Sequence, residues 1–194
     1  VLARAAPEYR TIAGRLSGFP YQPMRSFQRG PVYDPMKDIA NSKLQTAAAA
    51  VKLAADEKRS AANLHALGVA NLLLLADHGD AAIEAMHEAL RIETGQSDPT
   101  NAIKSSDDVP LLNDLSVALA NRAMIKPHPT DKGESMVCAD RAWQLGWTRE
   151  AAWNRAIAIE LFSGPQRAST AWHDYLALDP SSKWAGEARK HLSD

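Results

Sequence analysis

Apolar positions recur every three or four residues along this chain, and nowhere do β-branched residues alternate with polar ones as they do in a half-buried strand. Leu44, Ala47, Ala48, Val51 and Ala55 form one such stripe, on a helix that Asp38 or Asn41 can open. Ser60 can cap a second helix to about Ala76, and a third runs from Ala81 to about Ile92. The Asp77-His78-Gly79-Asp80 run between them reads as a turn, because Gly tolerates positive φ and Asp caps the next helix. Residues 94–108, rich in Thr, Ser, Asp and Asn, read as a long loop. Pro110 suits the first turn of a fourth helix, which Pro127 and Pro129 end. Further helices are expected at about 134–145, at 149–162, from Pro165 to just before Asp179-Pro180, and at 182–192 after a Ser181 or Ser182 cap. Gly146 and Gly164 mark two of the stops. The pattern predicts an all-α molecule of about eight helices.

Composition supports that reading. Alanine occurs 35 times in 194 residues, and it favours helix because it loses no side-chain entropy and hides no polar group. The aromatic residues sharpen the organisation. All five tryptophans lie between 143 and 184, and residues 35–142 contain no Phe, Tyr or Trp. Residues 1–35 instead combine Tyr9, Phe19, Tyr21, Phe27 and Tyr33 with Pro7, Pro20, Pro23 and Pro31. Breakers that close together exclude a long helix, so this stretch is expected to be an extended or turn-rich arm, followed by a helical domain over 36–194. Two placements of the arm stand open: laid down on the helices, or exposed as a hook for another chain.

Three helical segments carry similar patterns: Leu64-His65-Ala66-Leu67-Gly68-Val69-Ala70, Leu112-Asn113-Asp114-Leu115-Ser116-Val117-Ala118 and Trp153-Asn154-Arg155-Ala156-Ile157-Ala158-Ile159. Each precedes a turn and a partner helix ending in Ala89-Leu90-Arg91-Ile92, Ala142-Trp143-Gln144-Leu145 or Leu176-Ala177-Leu178-Asp179-Pro180. The arrangement resembles the tetratricopeptide repeat (TPR), with a large residue, a Leu-Gly pair, small residues in the second helix and a closing Pro. The resemblance implies a helical-repeat solenoid with units at about 61–93, 110–146 and 149–180 and a capping helix at 182–192. Gly68, Ala82 and Ser116 are expected where helices cross closely. The spacing is irregular: Leu64 to Leu112 is 48 residues and Leu112 to Trp153 is 41, against a family period of about 34.

A second resemblance involves both ends of the chain. Tyr9-Arg10, Arg15-Leu16-Ser17-Gly18-Phe19-Pro20-Tyr21-Gln22-Pro23 and Arg29-Gly30 are similar to a segment that precedes helical repeats in large bacterial proteins ending in a CHAT domain, a caspase-like protease fold. Trp153-Asn154-Arg155-Ala156 and the run Ala171-Trp172-His173-Asp174-Tyr175 through Trp184-Ala185-Gly186-Glu187-Ala188-Arg189 are similar to the last repeat of the same proteins. The resemblance implies a sensor or adaptor region ahead of a protease domain whose catalytic His and Cys lie outside this sequence. It also implies a bacterial, cytoplasmic setting, with an upstream membrane tether left open. A start at Val1, with no methionine and no signal-peptide pattern, is expected of a piece of something longer.

Candidate chemistry adds little. Lys and Arg number 22 against 23 Asp and Glu, so the domain-wide basic field of a nucleic-acid binder is lacking. Arg4, Arg10, Arg15, Arg25 and Arg29 do make the arm basic and interleave it with rings, which a single-strand binder also does, but docking on the helices accounts for them as well. The one cysteine, Cys138, sits among Met136, Val137 and Ala139, where a thiol packs as a small hydrophobe. His87-Glu88 begins a zinc-protease helix motif, but Arg91 stands where the second His belongs. No phosphate-binding or nucleophile-elbow glycine pattern occurs. No enzyme, cofactor or metal site is therefore expected, and no stretch approaches the eighteen apolar residues of a membrane span.

The repeat register yields one candidate site. His65, Asn113 and Asn154 take equivalent inward positions on the first helices, with Asn121 further along the second unit and Arg155 and Arg122 nearby. A ladder of side-chain amides can hydrogen-bond an extended peptide backbone, so these residues form a candidate groove for a peptide or protein partner. The same asparagines could instead bond the neighbouring helix and specify packing. Two functions follow: a non-catalytic interaction scaffold that senses a partner for a downstream domain, or a structural or oligomerising module whose groove holds its own arm.

Overall fold

The computed structural model describes residues 1–5, 10–24, 35–74 and 79–193. Among them the regular elements are ten helices and no strand: α1 (Leu2–Ala5), α2 (Pro35–Glu57), α3 (Ala61–Leu74), α4 (Gly79–Thr94), α5 (Pro99–Ser105), α6 (Val109–Ile125), α7 (Asp131–Gly146), α8 (Arg149–Ser163), α9 (Pro165–Leu178) and α10 (Lys183–His191). The molecule is all-α, as expected, with two more helices than the expected eight. One is the short α1 in the arm. The other, α5, occupies the expected 94–108 loop: the Asp98 carboxylate accepts from the Asn101 N–H at 2.8 Å, Pro99 supplies a first turn that needs no N–H, and Ala102 and Ile103 are buried. The Asp77-His78 part of the expected turn lies outside the described residues, as do Tyr9, Phe27 and Tyr33.

Side-chain caps fix the later starts. Asp108 accepts from Leu111 N–H, Thr148 from Ala151 N–H and Ser182 from Ala185 N–H, which set the N-termini of α6, α8 and α10. Helix α7 begins at Asp131, three residues before its expected start, and its last turn closes on Trp147 with φ +49°. Gly146 is needed there for proximity, not for its φ, since a Cβ on it would lie 2.7 Å from Cγ1 of Val109.

Consecutive helices pair, α3 with α4, α6 with α7 and α8 with α9, and the pairs stack through α4 on α6 and α7 on α8. Helix α2 covers α3 at one end and α10 covers α9 at the other. The crossing of α3 and α4 depends on Gly68, where a Cβ would lie 2.5 Å from Met86 Cγ and 2.9 Å from the Ala82 carbonyl oxygen. Two apolar clusters result. One runs from α2 to α7 around Leu64, Met86, Leu90, Leu112 and Leu115. The other is aromatic and lies among α8, α9 and α10, with Trp153 edge-on to Trp172, Tyr175 and Trp184 at 4.7–5.2 Å.

Residues 10–24 of the arm are laid down over these clusters. Residues 10–24 contain no helix, and their one regular feature is a parallel bridge between Arg10 and Met24. Ile12 and Leu16 are buried in the first cluster, while Ala13 and Tyr21 pack on the second. Of the two placements open from sequence, residues 10–24 take the docked one.

Candidate functional site

The docked arm is held by its backbone. Arg15 N–H donates to Oδ1 of Asn154 at 2.7 Å, and Nδ2 of Asn154 donates back to Arg15 C=O at 2.9 Å. One side-chain amide thus grips both polar groups of a single residue, as a neighbouring strand would. Nδ2 of Asn113 donates to the same carbonyl at 3.0 Å and to Ser17 Oγ at 3.0 Å, and its Oδ1 accepts from Asn154 Nδ2 at 2.7 Å. Two residues further on, Ser17 N–H donates to Oδ1 of Asp114 at 2.8 Å. Behind it, Trp153 Nε1 donates to Ala13 C=O at 3.0 Å. Asn113, Asp114 and Asn154 are all nearly fully buried, so these bonds satisfy groups that water does not reach.

Helix periodicity explains how the sequence builds this clamp. Asn113 and Asn154 occupy the same point on α6 and α8, helices that touch each other, so their amides meet as well as meeting the arm. Gly14 lets the arm descend onto α6: a Cβ there would lie 2.5 Å from Cγ2 of Val117.

Two arginines of the arm supply the charge. The Arg10 guanidinium pairs with Glu187, donates to Gln22 C=O at 2.6 Å and lies over the Trp184 ring at 4.5 Å. Arg15 reaches Glu150 at 3.1 Å, the Tyr175 hydroxyl at 3.2 Å and Asp179 at 3.6 Å, and its guanidinium carbon stands 5.0 Å from the centre of the Trp184 ring. Burial would raise the Asp179 carboxyl, but hydrogen bonds from Ser182 and Tyr175 outweigh it and hold its pKa below the ordinary value. Tyr175 moves the other way: burial, then its bond to Asp179, push the phenol up.

The candidate residues divide in the structure. Asn113 and Asn154 form the clamp. His65 stands one step behind it, its Nε2 2.9 Å from Oδ2 of Asp114, the residue that holds Ser17. Burial lowers the His65 pKa, but the hydrogen bond and charge of Asp114 more than reverse this and leave it raised. Asn121 lines a cavity beside the arm. Arg155 does not join them: it donates to Asp140 at 2.7 Å and Asp174 at 3.2 Å, between α7 and α9. Arg122 is likewise engaged elsewhere, with Asp131 at 2.6 Å and Asp80 at 2.8 Å. Asp114 was not among the sequence candidates, although its place beside Asn113 was visible.

The cysteine is fully buried, and desolvation, then the charge of Glu134, raise its pKa, so it stays a thiol. Among the described residues no cluster of three or more His, Cys, Asp and Glu side chains could hold a metal ion, and no helix is long and apolar enough to cross a membrane. In comparisons with family models, curated proteins and solved structures, nothing matches this chain.

Proposed function

We propose that this chain is a non-catalytic protein-interaction module, TPR-like in its stacked helix pairs, whose inner face is built to hold extended polypeptide. The observation that carries this reading is the double grip of Asn154 on the N–H and C=O of Arg15, with Asn113 on the same carbonyl. Backbone groups are the one feature common to all peptides, and a site that bonds them accepts a chain by its extended shape. The resemblance of the arm and the tail to CHAT-domain proteins supports the further reading that the module is a sensor or adaptor region ahead of a protease domain.

A second reading has its own support. Arg10, Ile12, Arg15 and Leu16 are each at least nine-tenths buried, as expected of a permanent part of the core. In that reading the face holds only its own arm and the chain is a structural module.

Loosening the arm separates the two. In the full chain, Arg15→Ala with Leu16→Ala weakens docking in cis, and a fluorescein-labelled peptide of residues 10–22 is then added. Saturable binding, abolished when Asn154→Ala is added, is the expected result. A variant that stays folded, releases its arm by hydrogen exchange and still ignores the peptide overturns the interaction reading and leaves the structural one.

A further inference from the structure

Beside the docked arm, between α6 and α8, lies an open cavity of about 340 Å³, at the small end of the range of ligand pockets, roughly 300–1,000 Å³. Its floor is apolar, with Val117, Ala120 and Ile157, and its rim carries Met24, Met124 and Leu161. Among the described residues no charged side chain lines it. The rim methionines are 44% and 60% exposed and Leu161 is 37% exposed, so apolar surface stands open there at a cost in water. Methionine side chains also adapt to differently shaped apolar partners.

The polar groups of the cavity point to the class of occupant. Thr11 and Gly14 line it on the arm side, and neither has a hydrogen bond from its backbone N–H or C=O among the described residues. Across from them the side-chain amide of Asn121 is also without a partner among the described residues, whereas the amides of Asn113 and Asn154 are fully used. Among the described residues, then, peptide groups and an amide without partners surround an apolar hollow with no charged lining, which matches a ligand that carries both apolar side chains and amides. The cavity is also continuous with the arm's own binding site, since Ala13 and Gly14 of the arm and Asn154 of the clamp line it as well.

We infer that this cavity is a docking subsite for a short, uncharged, apolar segment of an extended polypeptide from another protein, bound alongside the arm and not in place of it. The arm forms one wall of the subsite and supplies backbone partners; α6 and α8 supply the apolar floor. The inference rests on the reading of the inner face as a polypeptide-holding surface, but it concerns a different stretch of that face.

The test uses the full chain with methionine methyl groups labelled with ¹³C. The probes are neutral, end-blocked pentapeptides with Leu, Ile, Val, Met or Phe at the centre. The expected result is saturable movement of the Met24 and Met124 methyl signals by at least one of them, with buried Met86 unmoved. Met124→Glu and Leu161→Glu, both on the exposed rim, should each weaken that binding about tenfold or more while leaving the thermal midpoint close to the parent's. N-methylating the peptide's amides should weaken it similarly. Silence of both methyls across all five peptides overturns the inference, and so does an equal response to hexanol or to the N-methylated peptide, which would mark an apolar hollow without peptide recognition. Binding of the 10–22 peptide reads Asn154, whereas this experiment reads two methyl groups, so either reading can fail while the other stands.

Discussion

Asn154 and Arg15 are 139 residues apart in sequence, yet one side-chain amide closes on both the N–H and the C=O of that arginine. Replacing Asn154 with Ala removes both bonds and one to Asn113, leaving buried polar groups unpaired. The loss should be about 1–3 kcal/mol of stability in urea denaturation. Hydrogen exchange should localise it, with protection falling over residues 12–17 more than in α6 or α8. Asn154→Asp keeps the acceptor for Arg15 N–H but loses the donor, so it should also destabilise.

Gly14 and Val117 make the second test. A methyl on Gly14 meets the Val117 side chain at 2.5–3.0 Å, so Gly14→Ala should lift the arm and cost roughly 1–3 kcal/mol. Adding Val117→Ala makes room. A double-mutant cycle should therefore show favourable coupling, with the pair less destabilised than the sum of the single changes.

Two partly buried histidines, His65 and His87, should oppose each other as pH changes. His65 has its pKa raised above the ordinary 6.5, because the bond and charge of Asp114, with Asp108 adding, exceed the cost of burial. Its contribution is present in full below pH 6.5 and fades as pH rises through the folded value. His87 is lowered, by burial first and by Arg122, with Glu134 and Asp131 opposing. Its contribution is present above pH 6.5 and is lost as pH falls through the folded value. Denaturation at pH 5, 6.5 and 8 should show His65→Gln harming stability most at low pH. His87→Gln should flatten the loss that the parent suffers on acidification.

Trp172 is fully buried and stacks on His191 at 4.5 Å, so Trp172→Ala should cost about 3–5 kcal/mol in a thermal or urea melt. Trp153→Phe is the subtler change. It keeps a ring among Trp172, Tyr175 and Trp184 but removes the donor to Ala13 C=O, so about 1 kcal/mol is expected, concentrated in the arm.

Much of this architecture was legible from residue spacing. Gly68 marks the tight crossing of α3 and α4 because helix periodicity places it against Met86, and that relation is local to one hairpin. The equivalence of Asn113 and Asn154 was legible for the same reason. Their partner was not: the bonds to Arg15 and Ser17 span 96 to 139 residues, and no pattern within a helix encodes where an irregular segment will lie. Arg155 shows the limit of adjacency. It follows Asn154 directly, but each helical residue turns about 100°, which carries the guanidinium away from the clamp to Asp140 and Asp174. Helix α5 was hidden by its polar composition, although the Asp98-Pro99 start was written in the chain.

The pairing of Arg10 with Glu187 joins positions 177 apart. On a ribosome, Arg10 emerges well before its carboxylate partner, which waits on all the intervening synthesis. At about 5–20 residues per second, that interval is on the order of ten to forty seconds. During it, Ile12 and Leu16 have only the earlier helices to lean on, and any chaperone that recognises a short basic, ring-bearing stretch has its opportunity. The arm therefore cannot close on the last helix until 177 further residues have been made.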